Sequence, residues 1–509
     1  MKKVFTVILM LASFSGWSQS FLDNALLFSQ TSPGGSARIQ AIGGAQVSLG
    51  GDYSSALSNP AGLGMYNRTE ITFSPGYTLN NVAATYLGTK TDNSTSKFYV
   101  PGVSVVFHKP SEYESDFIGG SFAFSATRIN DLNLSYSYSG DNDISSIIDY
   151  FTYDSYGIAP EEMLFGGSYF NSLSGLAYNN YLTEDFVNDD GEYEYFSLLS
   201  PLDNEIRTIK QTETINRKGS QYQYSFSYGA NFSDKIFLGG GIGVTTLRYQ
   251  LTQVYRESNF SFSEDPSYQP LDNFEVQEDL EIKGAGINLT LGLIVRPIDH
   301  LQVGLSYISR TNYLLTDTYS ASLKSEWNNF DYYDDGTVIL NDVSEQFEEP
   351  LISEYNFSTP SKFSMGGTYI TKMGFISTDI EFVNYSKGKY SSNTQDITYN
   401  PDNDDIRDVY KTAVNFRIGG EVRMDMYRFR VGYNLMGDPY KDNDGLKRNI
   451  NSYSGGAGIK TKHFFADLAF VLRKQNGARV PYSTPDFPTP VASLNYTNTS
   501  FILTVGTTF

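Results

Sequence analysis

"QYQYSFSY" (residues 221–228) sets Tyr222, Tyr224, Phe226 and Tyr228 on one side of an extended chain and Gln221, Gln223, Ser225 and Ser227 on the other. "INLTLGLIV" (287–295) repeats the pattern, with Ile287, Leu289, Leu291, Leu293 and Val295 opposed to Asn288, Thr290 and Gly292. In "FFADLAFVLR" (464–473), Phe464, Ala466, Leu468, Phe470 and Leu472 oppose Asp467 and Arg473. Successive side chains of a strand point to opposite faces, so strict alternation is a strand signature. In a soluble sandwich the apolar faces would meet in a core. Here nearly every long strand has one apolar or aromatic face and one polar, often charged face. A transmembrane barrel needs that combination, with lipid outside and polar packing within.

Working outward, strands are expected near 68–89, 94–109, 117–139, 208–231, 235–258, 274–296, 301–324, 354–371, 375–391, 410–424, 427–440, 451–461, 464–474 and 497–509. Short connections, such as Ser233–Lys235, Pro297–Asp299, Thr371–Gly374, Asp425–Met426 and Lys462–His463, alternate with long ones, the longest from Gly140 to about Arg207. Short turns on the periplasmic side and long loops outside are the outer-membrane pattern. The fold class is therefore all-β: a 14-stranded antiparallel transmembrane β-barrel with both termini periplasmic. The last strand, "SFILTVGTTF", ends on Phe509 with Val505, Leu503 and Phe501 on the same face. That is the form expected of a strand presented to the barrel-insertion machinery.

Processing and composition agree. Lys2 and Lys3 precede an apolar run from Val4 to Phe14, and Gly16-Trp17-Ser18 places small residues at −3 and −1. Residues 1–18 read as a secretory signal peptide cut at Ser18/Gln19. No Cys occurs anywhere, which rules out disulfides and a lipid-modified Cys. The formal charge of −20 disfavours nucleic-acid binding. No later run of eighteen apolar residues could form a transmembrane helix.

Between signal and first strand lies "GGDYSSALSNPAGLGMYNRTEITF" (50–73), small residues around Pro60 that give way to alternation at Thr69. The longer stretch "SARIQAIGGAQVSLGGDYSSALSNPAGLG" resembles the N-terminal region of the FadL/TodX outer-membrane transporters for long-chain fatty acids and aromatic hydrocarbons. The resemblance is carried by Asn59-Pro60-Ala61-Gly62, placed after a Gly-rich segment and before strand one. "GLAYNNYL" (175–182) resembles members often labelled hemin or hydrocarbon transporters. The implied division is a signal peptide (1–18), a lumen hatch (19–66) and the barrel (67–509), with residues 140–207 an external loop carrying short helices. Physics points the same way, because a fourteen-strand lumen is too wide for wall side chains alone to fill. Pro60 fixes its own φ and biases Asn59 toward an extended conformation, stiffening the turn where the hatch would meet the wall. The alternative for 19–66 is a disordered periplasmic tail, although Ala41, Ile42, Val47 and Leu49 are more apolar than a tail requires.

Catalytic chemistry is sparse. His108, His300 and His463 all fall near expected periplasmic turns, which makes a Ser-His-Asp site hard to build. G-x-S-x-G, a Walker loop and G-x-G-x-x-G are missing. No enzyme, cofactor or zinc or iron site is expected. The clusters Asp402–Asp405 and Asp442–Gly445 lack full calcium-loop spacing and read as solvated loop faces, with weak calcium binding as the alternative.

Three groups of candidate site residues remain. By parity Arg417, Glu421 and Arg423 point inward on strand ten, Arg428 and Arg430 on strand eleven, and Asp379 and Glu381 on strand nine. They form either a wall and hatch ion-pair network or a basic spot for an amphipathic ligand's carboxylate. In the long loop, Ile147, Ile148 and Phe151 fit a helix capped by Asp141 or Asp143, and Pro160 starts another that leads into Met163, Leu164 and Phe165. The resemblance implies a hydrophobic capture groove there; ordinary loop packing is the alternative. On strand three, even-numbered residues face lipid from Ile118 to Ala126 and again from Leu132 to Tyr138, which puts Arg128 and Asn130 on the lipid side. Either they sit in the outer headgroups, or the strand bulges inward at Arg128-Ile129-Asn130-Asp131. A kink in the third strand is what the resemblance implies for a lateral opening.

The expected function is passive uptake of hydrophobic or amphipathic small molecules by a monomer surrounded by outer-membrane lipid. The rival is a similar barrel serving as a protein-binding subunit of a secretion complex.

Overall fold

Alternation becomes a closed ring because each strand finds a neighbour on both edges, and the last pairs with the first. The computed structural model describes residues 15–509 apart from 113–114, 201–205, 207, 263–264, 266, 395–396, 442–444 and 486–487. The signal segment as far as Phe14, and Asp442, Asn443 and Asp444 of the second acidic cluster, lie outside the described residues.

The wall has 14 antiparallel strands. They are β1 (Glu70–Tyr86), β2 (Thr89–Pro110), β3 (Phe117–Asp131 and Leu134–Asn142), β4 (Ile209–Phe232), β5 (Ile236–Ser258), β6 (Leu271–Ile298) and β7 (Leu301–Ile308 and Asn312–Asp331). The ring continues with β8 (Leu351–Ser358 and Lys362–Thr371), β9 (Gly374–Asn384 and Lys389–Ser391), β10 (Thr412–Met424), β11 (Tyr427–Met436), β12 (Ile450–Lys460), β13 (Phe464–Arg479) and β14 (Ala492–Thr508). β1 pairs with β14 from Glu70↔Thr508 to Thr85↔Ser493, which closes the barrel. Four expected continuous strands are interrupted: β3, β7, β8 and β9 each break partway up.

Parity settles which face meets lipid. Tyr224, Phe226, Tyr228, Ile287, Leu289, Leu291, Leu468 and Phe470 are exposed, whereas Gln221, Gln223, Asn288, Thr290 and Asp467 are buried inside. The apolar belt lies at the short-turn end. Above it the outward side chains become charged, as at Arg248 and Lys283, which flank Glu281 at 3.5 and 3.6 Å. β6 alone runs for 28 residues, far longer than a bilayer crossing needs.

The segment before β1 runs through α1 (Ser15–Ser29), α2 (Ala37–Ala41), α3 (Ser55–Ser58) and a 3₁₀ turn, Pro60–Met65. Its polar groups bond to inward-facing wall residues all round the ring. Ala37 N donates to Thr504 Oγ1 (2.7 Å), Gly43 N to Ser454 Oγ (3.0 Å), and Gln46 N and Val47 N to Asp379 Oδ2 (2.7 and 2.9 Å). Ser227 Oγ donates to Ala56 O at 2.8 Å. A chain with such partners, buried almost throughout from Gly34 to Gly64, occupies the lumen.

Outside, the long loop carries α4 (Ile147–Asp154), α5 (Pro160–Met163), α6 (Leu173–Asn179) and a small hairpin, Glu184–Val187 with Tyr193–Phe196. α4 is capped by Ser146, with Asp149 closing the capping box; Asp141 and Asp143 do not cap it. Asp402–Asp405 falls within α7 (Asn400–Val409) rather than in a loop, and Arg407 pairs with Asp404 at 2.8 Å. Among the described residues no cluster of three His, Asp or Glu could hold a metal ion.

Candidate functional site: a lumen cavity beside a break in the wall

The break in β3 begins with one extra residue. Arg128 is paired with Tyr222 of β4 and Asn130 with Gln221, so Ile129 is a bulge. A one-residue slip exchanges the faces of everything beyond it. Asn130, placed on the lipid side by continuous parity, is therefore buried beside the inward Gln221, and Arg128, which still pairs with Tyr222, turns in at the bulge itself and is buried too. Tyr136 and Tyr138 likewise turn inward and pack with Tyr86, Ile215 and Leu494.

A second consequence follows on the other edge. β2 and β3 share a backbone ladder only from Gly102↔Thr127 to Pro110↔Gly119. Above it, Thr89 to Tyr99 of β2 pair with β1, and Leu134–Asn142 pairs with β4. Side chains close the seam. Asn93 Nδ2 donates to Ser137 O (2.9 Å), Ser137 N returns a bond to Asn93 Oδ1 (3.1 Å), and Lys97 Nζ donates to Asn133 Oδ1 (2.7 Å). The Arg128 guanidinium lies 4.6 Å from the centre of the Tyr99 ring and pairs with Asp131.

Behind this seam is a cavity of ≈350 Å³. Arg128, Ile129, Asn130 and Asp131 all line it, with Tyr99 and Pro101 of β2, Leu27, Gln30 and Pro33 of the N-terminal segment, and Arg217, Asn434, Arg473 and Tyr496 across the lumen. Its wall is mixed: Leu27, Leu132, Leu134, Val471 and Ile502 are apolar, but three Arg face one Asp. Arg473 Nη1 donates to Ser32 Oγ at 2.6 Å. Arg128 Nε, Arg217 Nε and Asn434 Oδ1 are buried without a hydrogen-bond partner. A buried polar atom left unpaired is costly. Of the cavity's three Arg, Arg128 is one of the expected gate residues, parity puts Arg473 only on the polar face of its strand, and Arg217 sits just above the irregular Gly219 of β4.

The expected lumen charges are spread over other positions. Glu421 accepts from Arg430 Nε (2.7 Å) and Arg423 Nε (2.8 Å), and lies 3.6 Å from Arg38 of α2. Arg430 Nη1 reaches Asp467 at 2.6 Å. Asp379 holds the segment's backbone, as above. Arg417 pairs with Glu381 at 2.6 Å beside a separate cavity of ≈90 Å³. Arg428 is outside the network: its Nη1 bonds the turn carbonyls of Asp425 and Tyr427 at 2.6 and 2.8 Å. As the second residue of the strand, it has a long side chain that reaches the rim more readily than the lumen.

Asn59-Pro60-Ala61-Gly62 does not sit where the segment joins β1. Asn59 is extended and its Oδ1 accepts from Ala61 N, while Pro60 opens the 3₁₀ turn that packs on β4, β5 and β6. The wall answers with glycine: a Cβ on Gly239 would lie 2.2 Å from the Pro60 carbonyl carbon, and one on Gly292 1.8 Å from Asn59 Oδ1. Only glycine permits that approach.

The external group divides. Ile147, Ile148 and Phe151 are buried in an apolar core that the loop shares with the wall residues Ile209, Tyr255, Val276 and Leu323, and Met163 is buried as well. Leu164 and Phe165 are 48 % and 77 % exposed. The three His do lie at the short-turn end, but His108 is within β2, facing Ser121 Oγ at 3.1 Å, rather than in a turn.

A closed 14-strand barrel with an apolar outer belt is an outer-membrane protein. The particular fold is that of the FadL/TodX barrels. A crystal structure of a Pseudomonas aeruginosa FadL homologue matches with a TM-score of 0.52 at 10 % identity, covering 94 % of this chain and 98 % of that one. The toluene transporters TodX of P. putida (TM-score 0.51) and TbuX of Ralstonia pickettii (0.50) match at 13 % identity over 94 % of this chain and 99 % of theirs. No family model and no curated protein matches the sequence.

Proposed function

We propose that the protein is a passive outer-membrane channel for hydrophobic small molecules that carry a polar or anionic end, and that they leave the lumen sideways between β2 and β3. The observation that carries this reading is the coincidence of the ≈350 Å³ cavity with the seam held by side chains in place of a backbone ladder. A guest's apolar part would lie along Leu132, Leu134 and Ile502, and its acceptor atoms on Arg128, Arg217 or Arg473. Residues 19–66 then act as the hatch that blocks free flow, and the barrel works as a monomer. No cofactor or energy source is required.

The chain has no Cys, so an engineered pair is unambiguous. Asn93→Cys with Ser137→Cys ties the two lips where their groups already touch. In vesicles carrying the barrel, the oxidised pair should block entry of a fluorescent fatty acid while binding persists, and reduction should restore it. Equal entry in both states would place the exit elsewhere. A second reading, a protein-binding subunit, is favoured by exposed Leu164 and Phe165. It expects a stable protein partner that Phe165→Ala releases.

A further inference from the structure

Far from the lumen, three external connections meet around a cavity of ≈200 Å³. Its walls are aromatic. Trp327 and Phe330 are stacked, 13° between planes with centroids 5.6 Å apart, and Phe262 and Tyr268 form a second stack at 22° and 5.4 Å. Tyr332 stands at right angles to the first stack, 87° to Trp327 and 89° to Phe330. Trp327 is 6 % exposed, whereas Tyr268, at the mouth, is 46 % exposed.

Charge separates this cavity from an ordinary greasy pocket. The connections that build it span 140–208, 259–270 and 327–338, and together they contain a single basic residue, Arg207. Acidic residues are dense in them, including Glu184, Asp185, Asp331, Asp334 and Asp335. Asp331, between the two wall residues Phe330 and Tyr332, has a buried Oδ1 with no hydrogen-bond partner. Among the described residues, every cation–ring contact of the protein's own Arg and Lys lies on other rings. Ring faces carry partial negative charge, and several faces meeting at right angles inside an acidic surround attract a weakly hydrated organic cation. A hydrocarbon would gain nothing from the acidic surround.

We propose that this external cavity is an aromatic cage for a quaternary ammonium group, the trimethylammonium head of a choline-type compound. It is separate from the lumen route, and its failure would leave that route untouched.

Trp327 is also the natural reporter. The only other tryptophan is Trp17, so Trp17→Phe removes its signal from any unprocessed chain. The protein is kept in a glycoside detergent free of ammonium groups and titrated with choline, against sodium chloride of equal ionic strength. A parallel titration uses choline's uncharged isostere, in which a tert-butyl group replaces trimethylammonium. Choline should shift the emission saturably in the millimolar range, and the isostere should bind at least tenfold more weakly. Phe330→Leu with Tyr332→Leu should weaken choline by more than tenfold, with heat-modifiable gel mobility reporting that the barrel is intact. Equal binding of the isostere, no saturable response to choline, or full binding by the double variant would each overturn the proposal.

Discussion

Arg430 and Arg428 are two residues apart on β11, and their surroundings give them opposite weights. Arg430 stands between Glu421 and Asp467, both buried, and truncating it strands the Asp467 carboxylate in the lumen wall while Glu421 keeps Arg423 and Arg38. Breaking a buried pair by removing one partner costs about 3–5 kcal/mol. Arg430→Ala should therefore lower the temperature at which the folded gel band disappears, whereas Arg428→Ala, on the rim, should leave it within a degree or two. If the two variants melt alike, the Arg430 network contributes little. Inward parity alone selects both residues. What it lacks is the depth of each side chain, because a strand's period says which face a residue takes and nothing about how far along the wall its end reaches. The same limit applies to Asn59: its extended backbone follows from Pro60, but its seat against Gly239 and Gly292 is a long-range contact with no local signature.

At the scale of elements, the N-terminal segment and α4 carry separate predictions. Deleting residues 19–58 removes the partners of Thr504, Ser454 and Asp379 but none of the ladder. The barrel should still insert, with conductance in planar bilayers raised and unselective. A truncated barrel that inserts and leaks no more than the full chain would show that the segment does not close the lumen. α4 depends on the wall: Ile147 N donates to Glu257 Oε1 at 3.0 Å, and the Ser146 hydroxyl donates to the same carboxylate. Gln211 and Tyr255 complete its bonds at 2.8 Å each. Glu257→Ala leaves these donors buried and unpaired, at about 1–3 kcal/mol. Limited proteolysis should then cut within residues 140–207 faster, with the transmembrane part unchanged; an unaltered rate would mean that the loop's own core suffices. The helices were legible from apolar spacing, but the cap was not, since "DNDISS" offers Asp141, Asp143, Ser145 and Ser146 as equivalent candidates. β3 shows the complementary case. An Arg on the lipid face contradicts the period, and the bulge at Ile129 resolves the contradiction, so the place where the pattern failed was itself informative. Beyond it, "LSYSYS" alternates equally well in either phase between Tyr and Ser, and only the slip decides that Tyr136 and Tyr138 point inward.

For the whole molecule, strand number and closure were readable because a lipid belt imposes one apolar face on every strand, which is a global constraint written locally. The breaks in β7, β8 and β9 were not, because a wall bends where distant parts of the ring must close. The same ring has a proportion that bears on where it works. At ~3.3 Å per residue, the 28 residues of β6 extend for about 90 Å. Tilted by about 40°, they rise about 70 Å, of which the apolar band takes ~25 Å. About 45 Å of wall therefore stands clear of the bilayer, like a chimney. On the route proposed above, a guest drawn from the medium would meet the mouth at that height, and the long hairpins set how far from the membrane it enters.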